Sequence, residues 1–211
     1  MRVRLAAVFM SAVVIAMAPF VYANLNSALA SSASDSSRYD TWVTETLSAT
    51  RTNKSTAIIV DKAAYRLYLV KSGEVTAAYP VELGFNPIDD KQMEGDGATP
   101  EGLYKVVEKR DVGQTRFHRG FLLNFPNTLD KEEFAAGKNS GAIPADAAIG
   151  GMILIHGSGS GKPGNDGGSN WTLGCVALSN ADIDSLFPHI KVGARVTIVK
   201  TCSVIDADDF K

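Results

Sequence analysis

The sequence predicts a mainly β fold: a single β-sandwich or partly closed barrel with one or two short helices. Three observations lead there. From Thr56 to Lys200 the chain is a series of short apolar or alternating runs punctuated by Gly, Ser, Asn and Pro. Helical periodicity is confined to a few short stretches. Hydrophobic residues make up 45% of the 211 positions, enough for a sizeable core without a disulfide framework or a structural metal.

The N-terminus is of another kind. Arg2 and Arg4 precede an apolar run from Leu5 to Val21 that only Ser11 and Pro19 interrupt. Small residues follow at Val21-Tyr22-Ala23 and at Ala28-Leu29-Ala30. This is the layout of a secretory signal peptide over residues 1–30, with cleavage after Ala23 or Ala30. The run is short for a bilayer span, so no stable membrane span is expected after cleavage. Residues 31–55 are rich in Ser, Ala, Thr and Asn. They read as a linker with a short helical segment in which Tyr39, Trp42, Val43 and Leu47 share a face.

The folded domain is expected over residues 56–200. Thr56–Asp61 is a short apolar strand, and Arg66–Lys71 alternates Leu67 and Leu69 against Tyr68 and Val70. Ser72-Gly73 turns the chain into a third strand, Glu74–Leu83. Gly95, Gly97 and Pro100 mark a loop. Further strands are expected at Gly102–Arg110, Gly120–Phe125, Met152–His156, Gly174–Leu178 and Arg195–Lys200. The helical candidates are Leu129–Lys138 and Asn180–His189. The second has Ser179 as N-cap with Asp182 three residues on, as in a capping box, and Ile183, Leu186 and Phe187 on its buried face. Residues 201–211 form an acidic C-terminal tail.

Composition removes several classes of function. The formal net charge is −2 and no Lys/Arg stripe exists, so nucleic acid is not an expected partner. There are three His, no H-E-x-x-H and no C-x-x-C, so no metal site is expected. Gly159-Ser-Gly161-Lys-Pro-Gly164 matches a dinucleotide fingerprint, but Pro163 and the run Asn165 to Gly168 leave no helix to receive a pyrophosphate. Pro163 also stands where a P-loop needs Ser or Thr. No cofactor is expected.

The chemistry concentrates between residues 151 and 178. One apolar strand ends in His156-Gly157, a Gly-rich loop follows, and a second apolar strand begins with Gly174-Cys175. If the strands are neighbours, imidazole and thiol face each other, and a thiol beside an imidazole can become the reactive thiolate. Gly174 allows close backbone approach to a carbonyl, and amides near Cys175 can hold an oxyanion. A Cys in an apolar strand, or a His at a strand end, is ordinarily structural. Their pairing across one Gly-rich loop is what makes them candidates. Two cysteines, Cys175 and Cys202, allow either one disulfide or one working thiol and one bystander. A papain-like order is excluded, because only His189, on a predicted helix, lies downstream of Cys175.

His156-Gly157 followed by Thr172-Leu173-Gly174-Cys175 resembles the signature of the L,D-transpeptidase catalytic domain family (YkuD-type). Gly95-Asp-Gly-Ala-Thr-Pro-Glu-Gly-Leu-Tyr104 is similar to that family's D-G-x-T-P-x-G-x-Y segment, and Tyr79 to Gly84 to its early strand. Phe125-Pro126-Asn127 and Trp171 to Asn180 resemble its proteobacterial branch. The resemblance runs from about Thr56 to Lys200.

The resemblance implies a peptidoglycan L,D-transpeptidase acting in the periplasm. Cys175 would be the nucleophile and His156 the base. Gly157 would orient the imidazole through its carbonyl, and the Gly174 and Cys175 amides would hold the oxyanion. Trp171, Thr172 and Leu173 would line the substrate. The expected partners are diaminopimelate-containing stem peptides, with an outer-membrane lipoprotein as a possible acceptor. Two positions depart from the family: Leu173 stands where it often has His, and Ala177 where it often has Arg. A hydrolase of peptidoglycan cross-links or lipoprotein links with the same acyl-enzyme is the alternative. A non-catalytic wall-binding module on the same fold is the alternative from another class.

Overall fold

The computed structural model describes residues 36–159 and 170–206. The expected signal peptide, most of the Gly-rich loop after Gly157 and the end of the tail lie outside them. Residues 36–53 form helix α1. The strands are β1 (Thr56–Asp61), β2 (Arg66–Lys71), β3 (Glu74–Pro80), β4 (Gly102–Arg110), β5 (Gly120–Leu123), β6 (Leu154–Gly157), β7 (Val176–Leu178) and β8 (Arg195–Val199). Helix α2 (Thr128–Ser140) lies between β5 and β6, and α3 (Asn180–Leu186) runs into a 3-10 turn, Phe187–His189, before β8. The eight strands form one sheet in the order β3-β2-β1-β8-β4-β5-β6-β7. The chain leaving β3 then reaches the opposite edge. Glu82 and Ala177 exchange backbone hydrogen bonds of 2.9 and 2.8 Å, and Phe85 N–H donates to the Thr172 carbonyl at 3.0 Å. The two edges are thereby bridged, and the mainly β, nearly closed sheet matches the expected class.

Both faces of the first strands are buried, so the alternation in β2 has no solvent side. Leu67 and Leu69 join Ile58, Val60, Val106, Phe121, Ile155 and Val176 in the core enclosed by the sheet. Tyr68 and Val70 face the other way, with Ala57, Ile59 and Val199, and pack against Tyr39 and Val43 of α1 and against Ile205. Each such aliphatic side chain contributes about 1.5–3 kcal/mol by leaving water. The helical segment expected within residues 31–55 is therefore a covering layer, with Tyr39 and Val43 of its expected face buried and Trp42 and Leu47 packed against the same cluster. Its polar composition hides a stripe of Tyr39, Val43, Thr46 and Thr50, all buried, with Thr46 Oγ1 2.7 Å from Thr197 Oγ1 on β8. This adds a third helix to the one or two expected.

The other helices have local causes. Asn127 caps α2, its side chain accepting from Leu129 and Asp130 N–H while the Asp130 carboxylate accepts from Asn127 N–H; Gly141 ends the helix at φ 77°. Ser179 caps α3 by accepting from Asp182 N–H at 3.0 Å, and Ile183 and Leu186 are its buried face. A buried polar knot ties the loop after β3 to the sheet. Lys62 Nζ donates to Glu101 Oε1 at 2.8 Å, Thr99 O at 3.0 Å and Asp89 O at 2.6 Å, and Tyr39 OH donates to the other Glu101 oxygen. The pair is acceptable in the interior because these hydrogen bonds accompany it.

Candidate active site

Strands β6 and β7 are parallel neighbours, with Ile155 opposite Val176 and His156 opposite Ala177. The same register sets Cys175 beside Leu154, and Leu154 N–H donates to Cys175 Sγ at 3.4 Å. Residues alternate faces along a strand, so Cys175 and His156 lie on one face of adjacent strands. Both line a cavity of about 970 Å³ together with Arg110, Thr115, Arg116, Phe117, Met152, Trp171 and Leu173. That volume falls in the range of ligand sites.

His156 is fully buried. Its Nδ1 lies 2.7 Å from the Gly157 carbonyl oxygen. A carbonyl can only accept, so Nδ1 carries the proton, and in the neutral ring Nε2 holds the lone pair. Among the described residues Nε2 has no hydrogen-bond partner. Phe117 stacks on the imidazole at 4.0 Å between centroids and 16° between planes, and Trp171 meets it edge-on at 5.7 Å. Burial between these rings, assisted by the positive charge of Arg116, pushes the imidazole down to about 4 against the opposing pull of the Gly157 carbonyl. At neutral pH the ring is an uncharged base.

Cys175 is half-buried and free. Besides accepting from Leu154 N–H, its Sγ lies 3.7 Å from the Met152 carbonyl. Burial raises the thiol, and the Leu154 amide, Lys91 and Arg116 act in the lowering direction. Thiol and imidazole are thus both pushed toward their neutral forms, so the resting pair is thiol and imidazole rather than thiolate and imidazolium. Met152, which turns its carbonyl to the sulfur, holds φ 59°, an unusual conformation for a long side chain that clusters at functional sites.

The remaining expected residues divide by role. Gly174 sits at φ 131°, and a Cβ there would lie 2.6 Å from the Ala98 carbonyl oxygen, so only glycine fits. Its N–H, expected as an oxyanion donor, donates to Thr172 Oγ1 at 3.1 Å, and that hydroxyl donates to the Cys175 carbonyl at 2.7 Å. Thr172 is buried and shapes the turn that carries the cysteine. Gly157 is hemmed in: a Cβ would meet Asn180 Oδ1 at 2.7 Å and the Phe117 carbonyl at 3.1 Å. Leu173 is 71% exposed at the cavity rim. Ala177 is buried in the strand closure, leaving no reach for a long side chain at that place. Sequence reasoning missed Phe117, Arg116 and Met152. Phe117 and Arg116 reach the site because Gly120 pairs with His156, which lays the chain entering β5 against the imidazole; Met152 lies just ahead of β6, two residues before Leu154. Among the described residues no group of three or more His, Cys, Asp or Glu is placed to hold a metal.

A model of the L,D-transpeptidase catalytic domain family matches residues 55–198. YafK of Escherichia coli (strain K12), whose name assigns it to the L,D-transpeptidases, is 27% identical over 106 residues, which are 50% of this chain and 33% of YafK. Among solved structures, the helical cell shape determining protein Pgp2 from Campylobacter jejuni aligns with TM-score 0.52 at 22% identity, over 70% of this chain and 48% of that one. Bd1075 of Bdellovibrio bacteriovorus aligns with TM-score 0.52 at 23% identity, over 75% of this chain and 52% of that one. These two likenesses show a shared fold. The chain spans about a third of YafK and about half of the two solved chains.

Proposed function

We propose, from the fact that this chain belongs to the L,D-transpeptidase catalytic domain family, that it is a peptidoglycan L,D-transpeptidase working through a cysteine acyl-enzyme. One observation carries the reading: His156, fully buried and with no hydrogen-bond partner for Nε2 among the described residues, lines the same cavity as Cys175. A basic nitrogen kept out of water without a partner costs stability, and a wall-binding module gains nothing from it. As Cys175 Sγ attacks the carbonyl at the L-centre of diaminopimelate, Nε2 takes the thiol proton. It returns that proton to the amide nitrogen, the carbon–nitrogen bond breaks and the terminal D-amino acid leaves. A thioester remains. An acceptor amine then attacks it, its proton passes through Nε2 to the departing thiolate, and the thiol is regenerated. Such general base work contributes about 10²–10⁴-fold. The Cys175 N–H is assigned to the oxyanion, since the Gly174 N–H is engaged by Thr172 at rest.

The acceptor is a second diaminopimelate amine or the amine of an outer-membrane lipoprotein, and the reaction belongs to the periplasm, which fits residues 1–30 as an export signal. Trp171 and Phe117 beside the imidazole and the apolar Leu173 at the rim favour amine over water. The test is incubation of purified enzyme with tetrapeptide muropeptides and, separately, with already linked products. New dimers in the first incubation are expected. Cleavage in the second with no dimers in the first would make the protein a hydrolase.

A further inference from the structure

The cavity around Cys175 is electrostatically one-sided. Its described lining contains two arginines, Arg110 and Arg116, and no acidic residue. Arg110 is already compensated, because Nε and Nη2 donate to the two Glu108 carboxylate oxygens at 3.0 and 2.9 Å. Arg116 pairs with no carboxylate among the described residues. Its guanidinium instead lies 4.6 Å from the centroid of Phe117, the ring that stacks on His156.

The segment carrying Arg116 is held in place on both sides. Arg119 donates to Asp111 at 2.7 Å and to Asp184 on α3 at 2.8 Å, and His118 Nε2 lies 2.9 Å from Asp184. Phe117 N–H donates to Thr115 Oγ1 at 3.2 Å. A guanidinium that lies over the ring stacked on His156, with its planar set of donors used by no acid among the described residues, is a receptor for a planar anion.

We propose that Arg116 receives a carboxylate of the donor peptide at this cavity. The inference rests on the acyl-transfer reading above. The donor offers two such groups near the scissile bond: the carboxylate of the terminal D-amino acid, and the one on the D-centre of diaminopimelate. Either makes a two-point contact with a guanidinium. This contact sets which stem peptides bind, and Arg116 is a specificity residue that takes no part in proton transfer.

The test is calorimetric binding to the full chain carrying Cys175→Ala, so that nothing turns over. Three disaccharide tetrapeptides are compared: the free acid, its C-terminal carboxamide, and the carboxamide at the diaminopimelate D-centre. The free acid should bind about 10- to 100-fold more tightly than one of the two amides, as expected for a charge-assisted pair. The amide that loses affinity identifies the carboxylate. Adding Arg116→Gln should bring that ratio to about 1 with an unchanged melting curve, and Arg116→Lys should restore part of it. Equal binding of acid and both amides would overturn the proposal. So would a preference that survives Arg116→Gln, or no binding of any peptide. A preference abolished by Arg116→Gln in a protein whose wild type turns over no muropeptide would leave this assignment standing and remove the transferase reading.

Discussion

Cys175 and Cys202 are both free, half-buried thiols, and burial pushes both upward. Their surroundings differ. Cys202 sits on the outer face of the sheet, packed against the layer that contains α1. Its N–H donates to Asp61 Oδ2 at 3.0 Å; backbone hydrogen bonds from Ile205 and Val204 draw its thiol down, while the charges that act on it, Asp61 and Asp40, press it up. Cys175 opens onto a cavity shared with a bare imidazole, and the charges that act on it, Lys91 and Arg116, are positive. Burial alone therefore does not separate a reactive thiol from an inert one. On the proposed function, the sign of the neighbouring charge and the presence of a proton acceptor are what set Cys175 apart from Cys202.

The sharpest break in that comparison comes from exchanging each thiol for a methyl. Cys175→Ala should abolish turnover with its melting temperature within about 2 °C of wild type, because a half-exposed sulfur is a small part of the core. His156→Gln comes next. It keeps a polar group in the pocket but removes the base, and kcat should fall about 10²–10⁴-fold, measured on tetrapeptide substrate.

Gly174→Ala attacks the backbone instead of the chemistry. The new Cβ meets the Ala98 carbonyl and must adopt a φ of 131°, at a cost of about 2 kcal/mol or more. A melting temperature lower by about 4–8 °C is expected, together with lost activity, whereas no change in either would show that the turn relaxes freely.

The buried imidazole also makes a pH signature. Its folded value is depressed to about 4 from the ordinary 6.5, so the folded state favours the neutral ring. The resulting stability is fully present above about pH 6.5 and is lost as pH falls through 4, on the order of 3 kcal/mol in all. Between pH 7 and pH 4 the urea midpoint of wild type should therefore fall further than that of His156→Gln. The smallest effect is expected at the other cysteine. Cys202→Ala should leave kcat/KM within about twofold, and an inactive but folded Cys202→Ala would reverse the two assignments.

The same contrast explains what the sequence made legible. β1, β2 and β4 begin and end where expected, because charged residues and turn formers bound them. β7 starts only at Val176, since Gly174 and Cys175 are held in the turn by the Thr172 hydroxyl. His156 and Cys175 stood out because each is flanked by glycine at a strand end. Phe117, Arg116 and Met152 did not, because nothing local marks them: they are placed by the β5–β6 pairing and by one residue with positive φ. α1 was legible as a helical segment from Tyr39, Trp42, Val43 and Leu47, but not the extent of its buried stripe, half of which is threonine, a residue counted as polar although Thr46 and Thr50 are buried.

The proposed function places the acyl group on Cys175, with His156 as base. Intact-mass measurement of the protein after brief mixing with a disaccharide tetrapeptide tests it directly. One adduct is expected, equal to the donor mass less the terminal D-amino acid, present in wild type and in Cys202→Ala and absent from Cys175→Ala. An adduct that persists in Cys175→Ala, or turnover by that variant, would contradict it.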